Sequence, residues 1–237
     1  MLIQQTSRFL LKNLQRIQKG KSIKSPFGTV QYLSDVSSIL SSKCKANSQQ
    51  DLSTDTIADA LKFRACYYLT QGAKNVLTNI KSGVFHAFNN SQIFALHPAV
   101  SAHVEYLAYT NILREVPSVD PSIKNVLLKL ANLFALNKIA TDLGVFFEGG
   151  YFEPKHSKII KQEVLRLCLE LKDEAVALAD AIAPPDQILW SALGQSDGQV
   201  YKHLMNKIVT AKEAFERPHY WRLCRTPVNV GSLRSKL

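Results

Sequence analysis

The chain has 237 residues, of which 46% are hydrophobic, and its formal net charge is +10. This length and composition allow one large or two small domains with a substantial core and exclude a disordered polypeptide. No uncharged apolar run reaches the roughly 18 residues of a membrane span, and the N-terminus lacks the apolar segment of a secretory signal. The four cysteines are scattered without ligand spacing, which favours reduced thiols over a disulfide framework or a metal site.

The positive charge is concentrated at the two ends of the chain. Residues 1–34 contain two arginines, four lysines and no acid, and the last 27 residues are also basic. Solvated helix faces and tails are the first interpretation, and attraction to an anionic partner is the second. No nucleic-acid partner is predicted, because neither interleaved aromatic and basic residues nor a recognition motif accompanies the charge.

The first predicted helix covers Met1–Gln18, where apolar residues recur at helical spacing and Gly20 follows as a stop signal. No Ser, Thr, Asp or Asn precedes it as a cap, so we interpret it as a helix whose beginning is cut off. A basic, amphipathic mitochondrial transit peptide is the alternative. Residues 1–20 are thus expected to end a first helical domain, and the polar, Gly- and Pro-containing segment 21–53 is expected to be a linker or surface loop.

Three more helices are predicted before Gly150. The first begins at Ser53 or Thr54 and closes at Gly83, the second covers roughly residues 91–116, and the third runs from Pro121 to Gly149–Gly150. Pro98 inside the second pattern implies a kink or a late start.

Two histidines in this region do not suggest a metal site. His97 and His103 are six residues apart, so they do not share a helix face as an i, i+4 ligand pair does. His103 with Glu105 is a formal acid/base candidate, but we expect both to be ordinary polar residues at the surface or at a domain boundary.

A fifth helix is predicted as the longest, from Pro154 to the pair Pro184–Pro185. At 1.5 Å per residue it would be roughly 40 Å long, and its continuous apolar stripe must be covered by other helices. No strand alternation accompanies these patterns. The predicted fold is therefore all-α, a helical bundle of about five long helices, with the bundle domain at 54–215 and a basic tail at 216–237.

One turn is a weak candidate for cofactor binding. Asp197 and Gly198 precede a helical pattern at 200–209, and a glycine turn at a helix N-terminus is able to hold a phosphate. An ordinary turn with an aspartate cap explains the same residues, and the segment is no Walker motif. Glu148, Glu153 and Asp186 lie near glycines or prolines and are likewise expected to be cap or loop residues.

The chain ends in Ser235-Lys236-Leu237. A C-terminal Ser-Lys-Leu is read by the peroxisomal import receptor and has to be terminal to act. The sequence therefore predicts a peroxisomal location.

Several stretches together resemble the C-terminal helical region of peroxisomal acyl-CoA oxidases. They occur in the family's order along essentially the whole chain: Gln4–Leu10 (QQTSRFL), Phe88–Ile93 (FNNSQI), Glu148–Phe152 (EGGYF), Leu171–Leu178 (LKDEAVAL), Ile182–Asp186 (IAPPD), Asp197–Lys202 (DGQVYK) and Gly231–Leu237 (GSLRSKL). The Glu-Gly-Gly-Tyr and Ala-Pro-Pro-Asp forms are most similar to the branched-chain (pristanoyl) type.

The resemblance implies a homodimeric flavoenzyme of fatty acid β-oxidation with an N-terminal α domain, a β domain and two C-terminal helical domains. In such an enzyme a carboxylate removes the α proton of the acyl-CoA while a hydride passes from the β carbon to FAD, which oxygen reoxidises to give hydrogen peroxide and a trans-2-enoyl-CoA. The family's glutamate base lies in a Gly-Glu-Asn-like motif just ahead of the Gln-Gln-Thr helix, and its flavin-holding domain is also upstream. No residue here is therefore assigned a catalytic role, and this chain alone is not expected to hold FAD or turn over substrate.

Two readings of the chain follow from the resemblance. In the first it is the C-terminal portion of a peroxisomal acyl-CoA oxidase, acting on acyl-CoA only within the complete enzyme. In the second it is a non-catalytic peroxisomal helical subunit or binding module that pairs with a full-length oxidase. The residues leave acyl chain length, branching preference and oligomeric state open.

Overall fold

The computed structural model of the chain describes residues 2–23, 25 and 27–225, and this part consists of helices joined by turns and loops. The predicted targeting residues Ser235, Lys236 and Leu237 lie outside it. The α-helices, in chain order, are α1 (Leu2–Gln18), α2 (Val36–Ser41), α3 (Thr54–Asn79), α4 (Val84–Asn90), α5 (His97–Glu115), α6 (Pro121–Thr141), α7 (Leu143–Glu148), α8 (Pro154–Leu171), α9 (Ala175–Ile182), α10 (Asp186–Leu189), α11 (Val200–Thr210) and α12 (Trp221–Arg225).

Short helices of other types connect several of these elements. The 3₁₀-helices are Gln31–Asp35, Gln49–Asp51, Ile80–Ser82, Val116–Ser118 and Lys172–Glu174. A π-helix, Gln92–Leu96, leads directly into α5, and within it the Leu96 N–H donates to the Ser91 carbonyl five residues back at 2.9 Å.

The predicted all-α fold with about five long helices is confirmed. Helices α1, α3, α5, α6 and α8 have 17 to 26 residues each. Their starts follow the expected chemistry: Ser53 Oγ accepts from the Thr56 N–H at 3.2 Å ahead of α3, and Asp120 caps α6, where Pro121 is the first residue. Pro98 marks a late start rather than a kink, because α5 begins at His97 and holds Pro98 in its first turn.

The chain divides into two compact units, one ending at Glu174 and one beginning at Ala175. The first unit contains two hydrophobic clusters, and α3 contributes to both. One cluster joins α3 to α5, α6, α7 and α8 around Phe63, Tyr109 and Phe146, and the other joins α1 and the residues after it to α3 and α5 around Leu10, Leu33 and Leu69. Within the described residues no helix is long and apolar enough to cross a bilayer.

The long helix expected from Pro154 to Pro184 is two helices in the structure. Helix α8 ends at Leu171, the 3₁₀-turn follows, and α9 starts at Ala175. The apolar stripe is covered only in α8, where Ile160, Leu167 and Leu171 are buried, whereas Val176 and Ile182 on α9 are exposed. The apolar periodicity of the sequence continues past Leu171, whereas the burial that stabilises a helix in a folded protein ends there.

The segment expected as a linker, residues 21–53, forms short helices and packs. Val30, Leu33 and Ala46 are buried, and α2 lies against α3. His156 anchors the same segment to α8, because its Nε2 lies 3.0 Å from the Ala46 carbonyl and its Nδ1 accepts from the Glu153 N–H at 2.8 Å. A polar composition predicted the exposed positions of this stretch but not its few buried ones.

Candidate functional site

The Asp197–Gly198 turn lies just ahead of α11 but does not cap it, because Gln199 is the capping position and no side-chain hydrogen bond caps the helix. Asp197 Oδ1 accepts from the Gln199 N–H at 3.0 Å, and Oδ2 lies 2.8 Å from His203 Nε2. The Gln199 N–H, and after it His203, lower the pKa of Asp197, and Gly198 supplies the positive φ of the turn. A carboxylate already occupies the start of α11, where a phosphate would have to approach. Cofactor binding by Asp197 and Gly198 stays a prediction.

The other three candidate carboxylates serve local contacts. Glu153 caps α8 and pairs with Lys155 at 3.1 Å, and that lysine lowers the pKa of Glu153. Asp186 accepts from Ser196, whose hydroxyl lies 2.7 Å away, and Glu148 accepts from the Tyr67 hydroxyl at 3.4 Å. None of the three is buried. Asp186 lines a pocket of about 390 Å³ together with Asp180, and Ser196 already donates to its carboxylate.

His103 and Glu105 have separate partners rather than acting on each other. His103 is buried, its Nδ1 lies 2.8 Å from the Tyr32 hydroxyl, and burial lowers its pKa to about 4. Glu105 instead pairs with Arg64 Nη2 and, at 2.9 Å, with Lys138 Nζ. The neutral imidazole is therefore a hydrogen-bond partner of Tyr32 in the core.

Glu105 belongs to a charged cluster that sequence reasoning missed: Arg64, Tyr68, Glu105, Lys138 and Asp142. Arg64 Nη1 donates to the Lys138 carbonyl at 3.2 Å and lies 3.8 Å from Asp142, whose carboxylate accepts from the Tyr68 hydroxyl at 2.7 Å. Burial and then Asp142 raise the pKa of the Tyr68 phenol. The available signal was Arg64 itself, a charged residue three positions from Leu61 on the apolar side of α3.

The positive and negative charges of the charged cluster balance each other. It carries two cations and two anions, it joins α3, α5 and α6, and it lines a cleft of about 240 Å³. Because each charge already has a partner, the cleft offers structural support for three helices rather than an activated proton donor or nucleophile.

A second cleft of about 610 Å³ lies between the 28–39 segment, α3 and α5. Tyr32, Tyr106 and Thr110 line it together with two cations, Lys62 and Arg114. Lys62 is already paired with Asp59 at 2.7 Å. Among the described residues there is also no group of three or more His, Cys, Asp or Glu arranged to hold a metal ion.

The most conspicuous surface feature of both units is exposed apolar side chains. On α8 they are Leu165 and Leu169, and in the second unit they include Ile188, Trp190, Tyr201 and Met205. Where exposed apolar side chains form a contiguous patch, the patch is typical of a surface that other polypeptide covers.

Comparisons with known proteins give a consistent result. A family model described as acyl-CoA oxidase matches residues 53–229. The human peroxisomal acyl-coenzyme A oxidase 3 is 35% identical over the whole chain, and the acyl-coenzyme A oxidase acox-3 of Caenorhabditis elegans is 34% identical over 93% of it. The chain spans about a third of the length of these relatives, 35% and 32% respectively.

Solved structures of similar fold point the same way. Acyl-CoA oxidase 1 of Arabidopsis thaliana superposes on all of this chain with a TM-score of 0.78 at 23% identity, over 35% of its own length. Acyl-CoA oxidase-1 of Caenorhabditis elegans, solved with FAD and ATP, gives a TM-score of 0.74 at 19% identity and also covers the whole chain.

Proposed function

The chain belongs to the acyl-CoA oxidase family, and we propose that it is the C-terminal helical portion of a peroxisomal, FAD-dependent acyl-CoA oxidase. The observation that carries this proposal is the 35% identity to the human peroxisomal enzyme over the whole chain, which covers only 35% of that enzyme. The complete enzyme would convert fatty acyl-CoA to trans-2-enoyl-CoA and hydrogen peroxide in fatty acid β-oxidation. Acyl-CoA, a second oxidase chain and the peroxisomal import receptor are the partners that this function implies.

We further propose that this chain does not act as an oxidase by itself. FAD, when bound in the complete enzyme, would supply the hydride acceptor. The described residues do not fit the role of its sole binding site: Asp197 places negative charge at the helix start that a diphosphate would need, and the two clefts are lined by cations that already have partners. The share of this chain is then to support the rest of the enzyme with rigid helices.

The test has two parts, of which the first uses the isolated chain. We expect the purified protein to show no flavin absorbance and no peroxide formation with straight-chain or 2-methyl-branched acyl-CoA. A yellow protein that produces peroxide would contradict the proposal that this chain is inactive alone.

The second part uses a full-length chimaera in which this chain replaces the matching third of the human enzyme. We expect the chimaera to retain FAD and to oxidise acyl-CoA, because the helical portion is exchanged for a related one of the same fold. A chimaera built with an unrelated helical domain of similar length is the control. Equal activity of the two, or activity of neither, would contradict the assignment of this chain to the C-terminal portion.

A further inference from the structure

We propose that the apolar face of α11 is a docking surface for the part of the oxidase that this chain does not contain, so this inference rests on the proposed function. The face consists of Tyr201, Leu204, Met205 and Ile208. These residues lie at three- and four-residue steps and fall within an arc of about 100° around the helix. Their exposed fractions are 86%, 39%, 61% and 52%.

The opposite, polar side of α11 is the one that contacts the protein's own second unit. His203 pairs with Asp197 at 2.8 Å, and Lys207 Nζ donates to the Trp190 carbonyl at 2.6 Å. An amphipathic helix of a self-sufficient domain turns its apolar side inward. In α11 the orientation is reversed: its polar side makes the contacts within the second unit, and its apolar side is exposed.

The second unit also lacks a core that this face could complete. From Ala175 to Cys224, Ala192 is the only buried residue. A segment of that length with only one buried side chain, a methyl group, does not offset the entropy of ordering its helices, so its fold depends on contacts with further polypeptide.

The chain's relatives identify that polypeptide. About two thirds of the human enzyme has no counterpart in this chain, whereas the whole of this chain is matched to that enzyme. A second copy fits less well, because two symmetric 11-residue helices would bury less than the roughly 1,000 Å² of a stable interface. A membrane surface fits less well too, because Lys207 and His203 are engaged within the unit and do not extend toward lipid headgroups.

Hydroxyl-radical footprinting with mass spectrometry tests the surface on native residues. Tyr201 and Met205 both react readily and are open in the isolated chain. We expect their oxidation to slow about tenfold or more in the full-length chimaera, relative to the chain alone at low concentration. Equal oxidation in the two proteins would overturn the inference even if the chimaera is active, whereas the activity itself tests the proposed function.

Paired variants give an independent measurement. Tyr201→Glu with Met205→Lys places two charges on the apolar face, and Asn206→Glu with Thr210→Lys places the same two charges at the same spacing on the opposite side of the helix. We expect the first pair to lower the Tm and the retained flavin of the chimaera and the second pair to leave both unchanged. The isolated chain should have the same helix content with either pair, since all four side chains are exposed.

Three results would overturn the inference. The first is a similar response of the chimaera to both pairs. The second is protection of Tyr201 and Met205 that is already complete in a sedimenting dimer of the isolated chain, which would assign the face to a second copy. The third is protection that appears on addition of phosphatidylcholine–phosphatidylserine vesicles and not in the chimaera, which would assign it to a membrane.

Discussion

Substitutions at Gly144, Gly149 and Gly150 test how tightly the Glu-Gly-Gly-Tyr segment is packed. A Cβ added to Gly149 would lie 2.6 Å from Phe63 Cζ and 3.0 Å from Tyr67 Cδ2, about 1 Å inside ordinary carbon–carbon contact. The Phe63 ring is fully buried and stacks on Tyr151 at 4.5 Å between centroids, so it has no free space to enter. The backbone of Gly149 itself, with φ −81°, accepts an alanine.

Gly149→Ala should therefore destabilise the protein through overpacking alone, by about 1–3 kcal/mol. For a unit of this size that lowers Tm by about 2–12 °C. Gly144, exposed in α7 with no atom near its Cβ position, is the matched control, and Gly144→Ala should be neutral or stabilise by up to about 1 kcal/mol. Thermal and urea unfolding followed by circular dichroism measure both.

Gly150 tests the effect of backbone conformation in the same region, whereas Gly149 tests the space available to a Cβ atom. Gly150 has open space at its Cβ position but a φ of +70°, so Gly150→Ala should cost about 1–2 kcal/mol for a different reason. Phe63→Leu shortens the ring that blocks Gly149, and in the double variant it should offset part of the Gly149→Ala effect without changing the Gly150→Ala effect. A Gly149→Ala protein as stable as Gly144→Ala, or a double variant that is simply additive, would refute the contact.

Three further predictions address charge, pH and location. Glu105→Gln should destabilise the chain by about 3 kcal/mol, because Arg64 is left buried with only the more distant Asp142 as an anionic partner. Glu115→Gln, in the exposed pair with Arg114, should cost no more than about 1 kcal/mol. His103 has a pKa of about 4 in the folded protein, below its unfolded value near 6.5. The stabilisation that the neutral imidazole gives to the folded state is therefore complete above pH 6.5 and is lost as the pH falls toward 4. Unfolding free energy should drop by about 3 kcal/mol through that window, and His103→Gln should remove this part of the pH dependence. Deleting Leu237 should leave a fluorescently tagged chain in the cytosol, as followed by microscopy.

A different experimental result would contradict each of these three predictions. Equal losses of stability for Glu105→Gln and Glu115→Gln would mean that the charged cluster is as solvated as a surface pair. A pH dependence unchanged in His103→Gln would place the titration on other groups. Continued peroxisomal import without Leu237 would reject Ser-Lys-Leu as the signal.

The long helices could be predicted because their physics is local. Ser53 caps α3, the Asp120–Pro121 pair starts α6, and the apolar periodicity between such signals marks a buried stripe. The break at Lys172–Glu174 could not be predicted in the same way, because neither proline nor glycine marks it. It coincides with the last buried position of α8, Leu171, and a single sequence does not show where the burial of an apolar stripe ends.

The charged cluster shows the same limit at the level of side chains. Arg64 and Glu105 are 41 positions apart, so only the crossing of α3 and α5 brings them together. The argument against a shared metal site at His97 and His103 needed only helix periodicity, and it stays a prediction. The sequence did not predict the contact between the Tyr32 hydroxyl and His103, because residues 21–53 were expected to be a linker or surface loop.

The π-helix between α4 and α5 has a consequence for how chain length can vary in this family. A turn whose hydrogen bonds span five residues holds one residue more than an α-turn. Ala87 before it and Ala99 after it are both packed in the core, and the wider turn takes up the additional residue between them. A homologue that lacks one residue between positions 92 and 96 can therefore keep both buried faces in place, so this is where a single-residue gap should be tolerated in evolution.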